Sequence, residues 1–242
     1  MKFNNLTFTI LASLFTIISC NNNNSAKDEL AEKNAKHAEI NKAKTADEAL
    51  AELKYGNNRF LDNKLKNTNY KEEIEATKGG QHPYAFILTC IDSRVPPEII
   101  FDQGIGNVFV GRLAGNIEDD DILGSMEFAA KVKHTKLFVV LGHSHCGAVK
   151  GAIDNAGLEH LTQLTNKIKP AINPQKTYPL EDEVEDIVSR KNVNFTIENI
   201  LKNSATLRLM EGEKEIKIVG AFYDISNGEV EFFEELKTEK KE

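Results

Sequence analysis

Four short apolar runs constrain the fold more than anything else in this sequence: "YAFILT" at 84–89, "NVFVGR" at 107–112, "KLFVVLGH" at 136–143 and "IKIVGAFYDI" at 216–225. They are continuously apolar rather than alternating, which is the pattern of strands buried on both faces. Amphipathic segments at 119–133, 146–168 and 181–208 lie between the later runs. Strands and helices in this order predict an α/β domain with a mostly parallel central β-sheet and flanking helices. The closing "YDISNGEVEFF" places Asn227-Gly228 between alternating residues, a hairpin signal that adds an antiparallel edge strand.

Ahead of this core, "TADEALAELKYGNNRFLDNKL" spaces Ala49, Leu50, Leu53, Phe60 and Leu61 as a helix would, with Thr45 or Asp47 as its cap. A second short helix around "YKEEIEATKGG" ends at the glycine pair. Together they make an N-terminal helical arm, peripheral to the sheet. No internal repeat or second core is visible, and one domain over 45–242 is the expectation.

The chain begins differently. Lys2 is followed by the apolar run Leu6 to Ile18 and then Ser19-Cys20. That run is short for a membrane span and suits a signal peptide of residues 1–19. Its ending "TIISC" resembles a bacterial lipobox, in which the cysteine is acylated and becomes the first mature residue; Ile17 and Ile18 depart from the commoner residues there. An ordinary secretory signal cleaved nearby is the other reading. Residues 20–44 are polar and charged with few apolar anchors and read as a tether. This organisation implies a bacterial cell-envelope protein, periplasmic or surface-facing, held to the membrane by lipid on Cys20.

With 37 acidic residues against 30 basic and no long basic block, the chain lacks the electrostatic footprint of a nucleic-acid binder. The partner to look for is a small molecule. In open α/β sheets such ligands sit beyond the carboxyl ends of the strands. Two of those ends carry reactive side chains here: "TCIDSR" after the first run and "LGHSHCGA" after the third.

Cys90, His143 and Cys146 offer two thiolates and an imidazole, a good set for zinc. Lacking a fourth side chain or a C-x-x-C knuckle, the set reads as a three-ligand catalytic site with a position left for water. On spacing alone, a disulfide between Cys90 and Cys146 or two buried thiols are equal competitors. Asp92 and Arg94 tilt the balance. A carboxylate two residues from a zinc thiolate can bind the metal conditionally as a fourth ligand or accept a hydrogen bond from its water, and the guanidinium can hold it in place. A disulfide needs neither.

At this point the residues resemble a known family. "CIDSR" and "HSHC" are similar to the C-x-D-x-R and H-x-x-C motifs of the beta-class carbonic anhydrases, and "VPPEIIFDQGIGNVFVGRLAGN" and "GHSHCGAVKGA" look like that family too. The similarity runs from about Thr45 to Leu236. It implies reversible hydration of carbon dioxide to bicarbonate, one zinc per chain on Cys90, His143 and Cys146, an Asp92–Arg94 dyad, and a homodimer or higher homo-oligomer. By offset from the motifs, Gln81 matches a substrate hydrogen-bond donor of open-site members and Gly147 a backbone N–H donor. Phe109 and Phe128 match aromatic positions that wall the pocket, some supplied by the neighbouring subunit; Phe128 replaces a frequent tyrosine. Ile87 stands where closed-site members can carry tryptophan. A non-catalytic zinc-binding lipoprotein of the same fold and a thiol redox protein are the competing readings.

Overall fold

Continuous apolar sequence becomes strand here because the sheet is covered on both sides. The computed structural model describes residues 44–172 and 181–233, with Asp28 and Glu32 before them. The signal-peptide and lipidation readings, and nearly all of the tether, lie outside the described residues. The five strands are β1 (Ala85–Thr89), β2 (Val108–Arg112), β3 (Leu137–His143), β4 (Lys217–Tyr223) and β5 (Val230–Phe232). They form one sheet in the order β2-β1-β3-β4-β5. The first three pairings are parallel and β4–β5 is antiparallel. β1 and β3, central in that order, are buried at every position, whereas the edge strand β2 is half-buried and ends exposed at Arg112. At the hairpin the Asp224 N–H donates to the Glu229 carbonyl, and Gly228 takes the left-handed φ of 86° that favours glycine.

Eight α-helices are described: α1 (Ala46–Leu61), α2 (Tyr70–Thr77), α3 (Pro97–Ile100), α4 (Asp120–Lys131), α5 (Gly147–Ile153), α6 (Glu159–Ile168), α7 (Glu181–Asn203) and α8 (Ala205–Gly212). On one sheet face, Ala85, Ile87 and Leu141 pack with Ala49 and Leu53 of α1 and with Ile100 and Phe101 around α3. On the other, Phe86, Leu88 and Val140 pack with Met126 of α4, Ile197 and Ile200 of α7, and Leu207 of α8. A third cluster closes the carboxyl end of the sheet, joining Cys90 and Cys146 to Val149, Ile168 and Val188. Each fully buried aliphatic side chain in these clusters contributes about 1.5–3 kcal/mol.

Two expected helices are each divided. The segment 146–168 breaks into α5 and α6 across a turn where Asn155 takes a φ of 54°. The segment 181–208 breaks at Ser204, whose Oγ accepts the Leu207 N–H at 3.1 Å and so caps α8. Thr45 caps α1 in a capping box with Glu48. α1 is less peripheral than expected. Gly56 lies so close to α3 that a Cβ there would stand 1.8 Å from the Phe101 carbonyl oxygen. Beside it, buried Asn57 donates to the Ile100 and Gly228 carbonyls at 3.2 and 3.0 Å and accepts the Val230 N–H at 3.0 Å. One amide thus ties the arm to α3 and to the edge hairpin. α2, by contrast, buries no residue.

Candidate active site

The site forms where β1 and β3 end side by side. Thr89 pairs with Leu141, so the residue after β1, Cys90, comes level with the last residues of β3. His143 is the final residue of β3 and Cys146 the N-cap of α5. Their ligand atoms all lie within 4.8 Å of one another, and all three residues are buried. The two sulfurs are 4.0 Å apart and both cysteines are free thiols. That separation excludes the disulfide, whose S–S length is about 2.05 Å. It fits two ligands of one tetrahedral zinc, which with Zn–S of about 2.3 Å stand roughly 3.8 Å apart.

His143 makes the stronger test of fit. Its Nδ1 lies 2.9 Å from the Ser144 carbonyl oxygen, and since a carbonyl only accepts, Nδ1 carries the proton. Nε2 then bears the lone pair, and it is buried with no hydrogen-bond partner among the described residues. A buried acceptor left so is costly unless something fills its place. It faces two thiols, so a cation that prefers nitrogen and sulfur answers the demand of all three groups. The thiols share a proton: the Cys146 S–H points to Cys90, and this donation, with the Gly115 N–H at 3.3 Å from Sγ, holds the Cys90 thiol well below its usual range against the opposing effect of burial. The same bond and burial push the Cys146 thiol up. Gly115 has a φ of 72°, and a Cβ there would meet Ile168 Cδ1 at 2.5 Å.

Asp92 and Arg94 stand beside this set. Arg94 donates its Nε to Asp92 Oδ1 at 2.9 Å and an NH2 to Oδ2 at 2.7 Å, and its own backbone N–H to Oδ1 at 2.9 Å. The guanidinium holds the Asp92 carboxyl down at about 2, against the opposing effect of burial. The same Arg94 also donates to the His145 carbonyl at 3.2 Å, linking the loop after β1 to the turn after β3. Arg112, which sequence reasoning left aside, donates to the Cys90 and Asp92 carbonyls at 2.9 and 2.5 Å and fixes that loop from the edge strand. Gly147 opens α5 next to Cys146, exposed, with no heavy atom within 4 Å of where a Cβ would be.

Gln81, Phe109 and Phe128 are not brought to the metal-ligand set within one chain. Gln81 is exposed, ahead of the amino end of β1, with its Cβ 3.9 Å from where a Gly106 Cβ would be, just before β2. Phe109 pairs in register with Phe86, four residues before Cys90, or about 13 Å along a strand. Phe128 contacts Phe109 edge-on at 6.4 Å and is 46% exposed. All three line the β2 side of the molecule. Ile87 lies in the core on the sheet face opposite Phe86 and Leu88.

Fold and site together define an α/β metalloenzyme with a three-ligand zinc centre at the carboxyl ends of parallel strands. A carbonic anhydrase family model matches residues 85–230. Carbonic anhydrase 2 of Mycobacterium tuberculosis is 34% identical over 184 residues, covering 73% of this chain and 87% of its own. A carbonic anhydrase of Mycolicibacterium smegmatis is 35% identical over 187 residues, covering 74% and 89%. Among solved structures, the beta-carbonic anhydrase CcaA aligns with a TM-score of 0.62 at 26% identity, over 68% of this chain and 86% of that one. A tetrameric beta-carbonic anhydrase of Sordaria macrospora gives 0.59 at 29%, over 64% and 83%. The chain belongs to the beta-class carbonic anhydrases, and its reaction is the zinc-dependent reversible hydration of carbon dioxide.

Proposed function

We propose that Cys90, His143 and Cys146 hold the zinc of this reaction and that Asp92, braced by Arg94, is the acceptor that orients the attacking water. The observation that carries the assignment is the buried, unpartnered His143 Nε2 facing two free thiols. Zinc in such a set supplies the Lewis acidity that makes water a nucleophile near neutral pH. Asp92, ionised and pinned through both carboxylate oxygens, keeps lone pairs for a water hydrogen and offers no competing proton. The Gly147 N–H, at the mouth of the site, is placed to steady a substrate oxygen. Retention of the dyad argues against a zinc protein without activity, and the Asp92–Arg94 pair beside the thiols, which a dithiol couple does not need, argues against a redox role.

Gln81, Phe109 and Phe128 serve the site of a neighbouring copy in this reading. Their common position on the β2 side of the molecule, away from their own chain's ligands, supports it. The active unit is then a homodimer or a higher homo-oligomer. Cys20 carries lipid after cleavage of residues 1–19, and residues 20–44 tether the enzyme domain, 45–242, to a bacterial envelope membrane. The apolar run before Cys20 supports that reading.

Replacing Cys90, His143 or Cys146 by Ala tests the ligand set. Each variant is expected to lose most zinc and hydration activity together, measured as metal per chain beside stopped-flow hydration, because two ligands lack both affinity and geometry. Full zinc in all three variants would sink the assignment.

A further inference from the structure

The Ser144 carbonyl that accepts the His143 Nδ1–H belongs to the same peptide group as the His145 N–H. That N–H donates to Asp186 Oδ1 at 3.0 Å, from the amino-terminal part of α7. A peptide group is planar and trans, so fixing its N–H fixes the opposite direction of its carbonyl. The chain of contacts therefore runs from the Asp186 carboxylate through one peptide to the ring of His143, and on to Nε2. We propose that Asp186 is a positioning residue for the metal centre, acting on His143 through the 144–145 peptide. The proposal rests on the reading of Cys90, His143 and Cys146 as metal ligands.

Two consequences follow from the geometry. A charged acceptor binds an N–H strongly and polarises the peptide, which makes its carbonyl a better acceptor for the His143 Nδ1–H. The proton is held on Nδ1 and the lone pair on Nε2, the form a metal needs. The second consequence concerns the turn. His145 takes a φ of 51°, in the left-handed region that is uncommon for residues other than glycine but that histidine enters more readily than most. This residue turns β3 into α5 and so brings His143 and Cys146 together. Asp186 holds the peptide group before it, and Arg94 donates to the carbonyl after it at 3.2 Å. Ser144 has its own ties, its N–H to the Tyr223 carbonyl at 3.0 Å and its Oγ accepting the Ile225 N–H at 3.0 Å. Those ties survive loss of Asp186, so the effect is expected at the ligand rather than on the fold. Glu185, the neighbouring acid, stands 3.9 Å from the His145 ring and does not touch the peptide.

The test compares Asp186→Ala, Asp186→Asn and Glu185→Ala, the last removing the same charge from the adjacent position. Three readouts are taken on each protein: zinc affinity by competition with a chromophoric chelator, the thiolate-to-metal absorption of the cobalt(II)-loaded form, and the proton resonance of the His143 Nδ1–H in the zinc-loaded form. Asp186→Ala is expected to weaken zinc about tenfold, to move the Nδ1–H resonance upfield and to speed its exchange. Asp186→Asn keeps an oxygen acceptor, so it recovers most of the affinity with a partial upfield shift, and Glu185→Ala stays within about twofold of wild type. Unchanged affinity and resonance in Asp186→Ala overturn the proposal, as does an equal loss in Glu185→Ala, which would reveal a general charge effect. Should Asp186→Ala fail to fold, the Asp186→Asn resonance decides, and an unmoved signal counts against the proposal. Absence of thiolate-to-cobalt absorption in the wild type would overturn the ligand reading itself and the proposal with it; its presence with insensitive Asp186 variants overturns the proposal alone.

Discussion

At the scale of single residues the site turns on Asp92 and the guanidinium that holds it. A carboxyl held at about 2, against an ordinary 3.8, is stabilised in its ionised form by the fold. By linkage the pair contributes to stability fully above the ordinary value, and the contribution is lost as pH falls through about 2. Asp92 therefore does not titrate in the neutral range. We expect Asp92→Asn to lower hydration by roughly 100-fold at every pH between about 6 and 9, since an amide presents a donor where an acceptor is needed. Stopped-flow rates across that range check this, and near-normal rates would remove Asp92 from the mechanism. Arg94→Ala should release Asp92 toward the metal and lower activity while zinc per chain stays near normal, because the three protein ligands remain. A full-rate Arg94→Ala enzyme would remove the dyad from the mechanism.

At the scale of elements, the edge strand β2 and the helix beside it present an unfinished surface. Among the described residues β2 pairs on one side only, with β1. On α4, Phe128 is 46% exposed, and Val132, just past its end and four residues on, is 57% exposed. An unpaired edge flanked by apolar side chains invites association unless another chain covers it. Phe128→Asp is expected to convert the proposed assembly to monomer in sedimentation and to lower hydration, because the Gln81, Phe109 and Phe128 side would no longer reach a neighbouring site. An unchanged mass would place the interface elsewhere. The opposite edge is secured differently, by the Asn57 amide that binds both α3 and the hairpin.

At the scale of the whole molecule, the described residues contain no helix long and apolar enough to cross a membrane. The attachment we propose is through lipid on Cys20, each buried acyl methylene contributing about 0.8 kcal/mol. Cys20→Ser should lose fatty-acid labelling and detergent-phase partitioning and keep hydration activity; equal labelling of both forms would refute lipidation. Strands, their buried character, the parallel class and the edge hairpin were all legible in the sequence, because burial on both faces writes itself as unbroken apolar runs and a tight hairpin as Asn-Gly. Cys90, Asp92, Arg94, His143 and Cys146 were legible too, since ligands on two strand ends fall into two short motifs. The sequence did not show Asn57, Arg112, Gly115 or Asp186. Asn57, Arg112 and Asp186 act on the backbone of residues far away in the chain, as Asp186 does on the His145 N–H 41 residues off, and Gly115 lends its own N–H to the distant Cys90 sulfur; such bonds leave no spacing to read. Local chemistry and periodicity determine which residues are reactive and which are buried; only the packing of β1 beside β3, with α7 laid across their ends, decided which backbone groups hold them and which chain's site each side chain can reach.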